Sequence, residues 1–289
     1  MRILVTGAGG FVAQGLVAGL AGHELVLTDL QAGEGGGHWL PGDLTDPAHL
    51  AALTAEPLDV VYHLASIPGS LAEARPELGW AVNLLAPQAL FARLAATGNR
   101  PRVVFASSIA VFGPLGPGPV REDAPPAPTL SYGAHKWMIE ILLADLTRRG
   151  ELDGVSLRLP GIVARPPAES GHGSGFMSQI FHKAAARTAY DLPVSAEATC
   201  WWMSRETVVA NLLHAANMDS AALPASRVVQ LPVLVASVGA VLNALETLHG
   251  PGATAGFTHT PDPRIETLFG CLPPLTTPKA EAAGFRADP

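Results

Sequence analysis

The chain has 289 residues, 48% of them hydrophobic, with 18 basic against 25 acidic side chains and a formal net charge of −7. That is enough apolar material for one large α/β domain, or a core domain with a small satellite. The absence of any Lys/Arg run able to follow a phosphate backbone excludes nucleic acid as an expected partner. Two cysteines, Cys200 and Cys271, supply neither a disulfide framework nor a metal-ligand cluster, so no metal is expected and a reducing compartment is.

The N-terminal "MRILVTGAGG" enters a strand pattern at once, without the basic region and long apolar run of a signal peptide, which predicts a cytoplasmic protein. In "ILVTGAGGFVAQGL" a strand runs into a glycine turn and then a helix, with Gly7, Gly10 and Ala13 at three-residue spacings. Gly7 permits the tight turn, Gly10 lets backbone N–H groups approach a pyrophosphate at the helix N-terminus, and Ala13 is small enough for close helix–strand packing. The second strand, "HELVLTDL", ends at Asp29, 22 positions beyond Gly7, where a carboxylate accepts from both adenosine ribose hydroxyls and repels a 2′-phosphate. NAD is therefore expected in preference to NADP.

Asp43 in "PGDLTD" follows a third strand and reads two ways, as a partner of the adenine amino group or as ordinary turn chemistry. A fourth strand, "LDVVYHLAS", should point its C-terminal residues, Leu64 to Ser66, at the cofactor crevice. "RVVFASS" ends at Ser108 on the same carboxyl edge, where a hydroxyl can hold a substrate carbonyl or alkoxide, although serine at a strand end is also a common cap.

Strands alternating with helical segments such as "YGAHKWMIEILLADLTRRG" imply a doubly wound parallel sheet of Rossmann type over residues 1–165. That helix opens with Tyr132 and Lys136, in a chain with only three tyrosines and three lysines; four-residue spacing puts both on one face. A neighbouring ammonium and a positively charged nicotinamide would both favour phenolate, which a free tyrosine reaches only near pH 10.

Beyond residue 165 the rhythm changes, and residues 166–289 read as a smaller substrate-binding lobe with some segments returning to the first domain. Arg165 is a candidate anchor for an anionic substrate or a plain surface charge, and Arg158, inside its strand, reads as a buried structural arginine. His172 and Ser174 are adjustable donors on the loop "SGHGSGF", and of Trp201 and Trp202, adjacent on a strand, at most one should wall the pocket. The apolar stretch from Val228 to Leu248 is broken by Gln230, Pro232, Ser237 and Asn243. It divides into a short strand, an N-cap at Ser237 and a helix, so no membrane span is expected.

In order along the chain, "TGAGGFVA", "GDL", "HLAS", Val82-Asn83, "SSIAVFG" and "YGAHK" resemble the motifs of the extended short-chain dehydrogenases/reductases, which include sugar-nucleotide epimerases and dehydratases. The resemblance implies a general acid/base Tyr132, a Lys136 that lowers its pKa and binds the nicotinamide ribose, and a Ser108 that orients the reacting oxygen. It also implies cofactor contacts from Phe11 and Val12 after the glycine turn, from Asp43 and Leu44, from Leu64, Ala65 and Ser66, and from Asn83 and Pro160. "SLRLPGIVARP", "CWWMSRETVVANLLHAA" and "AAGFRADP" look most like the branch that oxidises the C2 hydroxyl of D-erythronate, a four-carbon sugar acid, with NAD. A homodimer through helices near residues 76–97 and 132–149 follows by resemblance. The other readings are an epimerase or dehydratase acting on a sugar nucleotide and a non-catalytic NAD-binding sensor. Three departures from the family pattern stand out: Ala13 for a glycine, Ser66 where alanine is common, and the segment "IPGSLAEARPEL".

Overall fold

The computed structural model of the chain describes residues 1–167 and 173–289. Its main sheet has seven parallel strands: β1 (Arg2–Thr6), β2 (Glu24–Thr28), β3 (His38–Trp39), β4 (Val60–His63), β5 (Arg102–Ser108), β7 (Asp153–Leu159) and β11 (Val228–Gln230). Their spatial order is β11-β7-β5-β4-β1-β2-β3. The order reverses between β1 and β4, and at such a switch point the crossovers leave in opposite directions and open a crevice at the carboxyl ends of the strands. The strands are near-continuous apolar runs because helices cover both faces; all of Val60–His63 is buried, as are Val103–Ser107 of β5.

On one face α1 (Phe11–Gly19) and α8 (Arg205–Asn217) build a core with Leu16, Tyr62, Leu157, Val208, Leu212 and Phe285. The two helices approach closely because Gly15 leaves room; a Cβ there would lie 3.1 Å from Val209 and 3.3 Å from Arg205. On the other face α2 (Pro47–Leu53), α5 (Ala86–Ala96) and α6 (Ser131–Arg148) enclose Leu50, Leu90, Phe91, Phe105, Ile139 and Leu143. Strand β11, α8 and Phe285 thus belong to the main sheet's cores although they come late in the chain.

Between β4 and α5 lie two short helices, α3 (Gly69–Ala74) and α4 (Pro76–Trp80), and a π-helical turn, Ala81–Leu85. The remaining strands are short. The Pro-rich loop after β5 contains β6 (Val120–Arg121), which pairs with β14 (Leu275–Thr276). The smaller lobe combines a sheet of β8 (Gly161–Val163), β10 (Thr199–Ser204) and β12 (Leu234–Ser237) with a pair of β9 (Tyr190–Leu192) and β13 (Phe257–His259). Helices α7 (Phe176–Ala186), α9 (Val238–His249) and α10 (Pro263–Phe269) pack there around Trp202, Met177 and Leu242.

The segment from Val228 to Leu248 divides into β11, β12 and α9, with the Ser237 hydroxyl accepting from the Ala240 N–H at 3.1 Å as the N-cap. Among the described residues no helix is long and apolar enough to cross a membrane.

Candidate active site

The crevice begins at the turn after β1. Gly7 has φ +68°, and a Cβ on it would lie 2.8 Å from the Ala65 backbone, so both conformation and space require glycine. Gly10 caps α1, and its N–H donates to the Gly7 carbonyl at 3.0 Å, while Ala13 is buried beneath the turn. Asp29 is fixed against this turn: one oxygen accepts from Gly9 N–H at 3.0 Å and the other from Leu30 N–H at 2.7 Å. A cradle that a Cβ would fill, a helix N-terminus and a carboxylate held at the end of β2 fit a dinucleotide.

Of the two readings of Asp43, the turn is realised, with Oδ1 accepting from Thr45 N–H at 2.8 Å. Leu44 packs against the α2/α5 core. Asn83, expected as a cofactor contact, makes its side-chain hydrogen bonds to loop backbone. Its side chain is buried, its Oδ1 accepts from Ile67 N–H at 2.9 Å and its Nδ2 donates to Ile67 C=O at 3.1 Å. The amide pins the loop after β4 because a buried amide must satisfy both its donor and its acceptor.

A cavity of about 490 Å³ runs from the glycine turn to the smaller lobe. It brings together Gly7, Gly10, Phe11, Val12, Leu64, Ser66, Ser108, Tyr132, Lys136, Pro160, Arg165 and Ser174; Asp29, Asp43, Leu44, Ala65 and Asn83 do not line it. His172 lies outside the described residues. Trp201 lines the cavity and donates from Nε1 to Pro273 C=O at 2.7 Å, whereas Trp202 packs edge-on to Phe181 in the lobe's own core. The alternation along β10 sends the pair to opposite faces.

Ser108 ends β5 and accepts from Ala110 N–H at 3.1 Å, so it is a cap, and that bond does not use its own proton. The Tyr132 phenol lines the same cavity as the hydroxyls of Ser66 and Ser108. Lys136, buried one turn below, donates from Nζ to Ala106 C=O at 2.8 Å and stands 5.4 Å from the Tyr132 ring centroid.

Their acidities differ from expectation. Burial pulls Lys136 down to about 7, with Glu140 opposing. Burial pushes the Tyr132 phenol up, opposed by the hydrogen bonds from Ser66 and Ser108 and by the Arg165 charge. Desolvation is the largest of these influences on the phenol, and the Arg165 charge opposes it.

Beneath Lys136 lies a network that the motif reading did not identify. Glu140 takes two hydrogen bonds from Arg158, Nε–Oε1 at 2.9 Å and Nη2–Oε2 at 2.7 Å, and a third from the Ser107 hydroxyl at 2.5 Å. Arg158 is the buried arginine expected inside its strand; its partner was legible only as a carboxylate one turn after Lys136. His63 is buried beside them, with Nδ1 2.9 Å from the Thr6 hydroxyl, and burial followed by the Lys136 charge holds it at about 3, hence neutral.

Across the cavity Arg165 is no surface charge. Its backbone is held at both ends, N–H to Ser178 Oγ at 3.0 Å and C=O from His182 Nε2 at 2.7 Å, and its Nη2 reaches the Ser174 hydroxyl at 3.5 Å. Burial pulls its pKa down while Tyr132 opposes, which places the guanidinium within electrostatic reach of the phenol. Lys136 and Arg165 are the two cations among the described lining residues; Met177, Trp201, Leu268, Phe269 and Leu272 supply an apolar wall.

Comparison with known proteins agrees with this architecture. Residues 3–225 match the NAD dependent epimerase/dehydratase family. The chain is 34% identical, over its full length and 94% of the relative's, to a D-erythronate dehydrogenase of Cupriavidus necator. It is 30% identical to one of Haemophilus influenzae, again over its full length and 95% of the relative's. A solved nucleoside-diphosphate-sugar epimerase from Agrobacterium tumefaciens superposes with a TM-score of 0.92 at 32% identity, covering all of this chain and 90% of that one.

Proposed function

Because the chain belongs to the NAD-dependent epimerase/dehydratase family and is an NAD-using enzyme of the extended short-chain dehydrogenase type, we propose that it oxidises the C2 hydroxyl of a small linear sugar acid of the D-erythronate kind, with Tyr132 as general base. The observation that carries the reading is the half-buried Arg165 guanidinium, lining the same cavity as Tyr132 and Ser108. A desolvated carboxylate needs such a partner, and a charge-assisted hydrogen bond supplies it.

In this reading the glycine turn and the α1 N-terminus hold the pyrophosphate, Asp29 holds the adenosine ribose, and Lys136 holds the nicotinamide ribose. Bound NAD supplies the acceptor for the two electrons that leave C2 with its hydrogen. Arg165, with Ser174, grips the substrate carboxylate beside the carbon to be oxidised. Ser108 donates to the C2 oxygen, and Tyr132 Oη takes its proton as the carbonyl forms. The apolar wall excludes water from the reacting carbon.

A sugar-nucleotide epimerase is the second reading. Against it, the described lining residues offer one cation besides Lys136, too few for a diphosphate, and the UDP-glucose 4-epimerase of Neisseria meningitidis serogroup B matches only 51% of this chain. A non-catalytic sensor has no need of Ser108, Tyr132 and Lys136 together. NADH release on a panel of C4 to C6 sugar acids and their neutral polyols separates the readings. Stoichiometric NADH with the acids alone supports the dehydrogenase, and no NADH with any of them rejects it.

The homodimer belongs to the same proposal. Trp80, Leu85, Met138 and Ile141 are exposed large apolar side chains on the segments 76–97 and 132–149, with Trp80 edge-on to His135. Light scattering should give twice the chain mass, and Ile141→Glu should halve it; a monomeric wild type rejects the dimer.

A further inference from the structure

Buried charge is rare in this chain, and it is concentrated. Among the described residues the lysine, arginine and acidic side chains that are buried are Lys136, Glu140 and Arg158, and they lie together at the end of β5. Lys136 and Glu140 are one turn apart on α6 and hold consecutive residues of that strand, Nζ donating to Ala106 C=O at 2.8 Å and Oε1 accepting from the Ser107 hydroxyl at 2.5 Å. Arg158 stands opposite Ser107 in the ladder between β5 and β7, donates twice to Glu140 and rests over the Phe112 ring at 4.9 Å. The carboxylate is therefore fixed from two strands.

The surroundings of Lys136 leave it one source of negative charge. On α6 it faces Tyr132 and Glu140; on β4, His63 is held at about 3 and is neutral; β5 offers the Phe105 ring at 4.8 Å and the Ala106 carbonyl; β7 brings a second cation, Arg158. A buried ammonium without a counter-charge gives up its proton, and a neutral amine no longer favours a phenolate. We propose that Glu140 is a positioning residue that acts through Lys136: its carboxylate, fixed by Arg158 and Ser107, is the counter-charge that keeps the buried lysine an ammonium at the pH of turnover. Two cations and one carboxylate leave the cluster one positive charge, which a Tyr132 phenolate would balance. Burial lowers Lys136 to about 7 while Glu140 opposes, as this role requires. The inference rests on Tyr132 and Lys136 acting as in the proposed reaction.

The chain has three lysines, so protein labelled with 13C at lysine Cε gives three NMR signals, and Lys136→Met identifies the one to follow. In the apoenzyme its midpoint should lie at about 7, and Glu140→Gln should lower it by at least about one pH unit. The sign separates charge from structure, because a loosened fold hydrates Lys136 and raises the midpoint toward that of a free lysine. Since the ammonium is lost as pH rises through the midpoint, the falling limb of the kcat/KM profile should begin about one unit lower in Glu140→Gln. Relative to the wild type, the variant should lose about tenfold in kcat/KM at about pH 8 and almost nothing at about pH 5. Glu140→Gln with Arg158→Met removes the guanidinium that the single variant leaves unpaired and should shift the midpoint in the same direction, because the charge acting on Lys136 is that of Glu140. That double variant carries the test where the single one does not fold. An unmoved or raised midpoint overturns the role of Glu140. Near-normal turnover in Tyr132→Phe overturns the reading beneath it instead, and leaves the Lys136 midpoints as they are.

Discussion

The two walls of the cavity are built differently. On the sheet side, Ser108, Tyr132 and Lys136 stand on strand and helix ends whose supports are themselves buried and paired, down to the Glu140–Arg158 ion pair with side chains 2% and 7% exposed. On the lobe side one guanidinium, Arg165, stands among apolar side chains and is steadied by loop and helix hydroxyls. In the proposed reaction the sheet side moves a proton, which demands fixed geometry and tuned charge. In the same proposal the lobe side recognises a shape and one negative charge, for which a single cation in an apolar wall suffices. One fold can therefore keep its chemistry and change its substrate by altering the lobe.

The sharpest way to break this contrast is at the buried pair. Glu140→Ala leaves the Arg158 charge uncompensated and should cost about 3–5 kcal/mol of stability by denaturant unfolding, whereas Glu140→Ala with Arg158→Met should recover most of it. Tyr132→Phe should lower kcat at least about a hundredfold, about 2.7 kcal/mol, with unfolding and NAD affinity unchanged. On the other wall, Arg165→Ala should reduce kcat/KM for the sugar acid roughly ten- to a hundredfold, about 1.4–2.7 kcal/mol, and leave the feeble activity on the neutral polyol almost untouched. A drop on acid and polyol alike would show that Arg165 serves the phenol and not the carboxylate. The smallest effect belongs to Asp29→Ala, which should shift the NAD/NADP preference toward NADP by about tenfold for each ~1.4 kcal/mol of differential interaction. A wild type that already prefers NADP would sink the assignment of Asp29.

The glycine turn, Asp29 and the Tyr132–Lys136 pair were legible because each depends on short-range geometry: a turn that excludes Cβ, a strand end, a four-residue helical step. Arg165 stayed ambiguous because a charge beside a strand faces solvent or a pocket according to what folds over it. The Asn83 contact was not legible for a related reason: its partner is backbone in a loop 16 residues away, and no motif spacing records it.

From the sequence by itself follow the alternation of buried strands with amphipathic helices, the dinucleotide turn and the residues proposed to transfer the proton, all encoded within single elements or adjacent ones. The tertiary structure alone decided which groups surround Tyr132, how far burial moves its acidity and that of Lys136, and that Arg165 faces into the cavity. Those properties arise between elements distant in the chain, where desolvation and facing charges are set by packing rather than by local residue pattern.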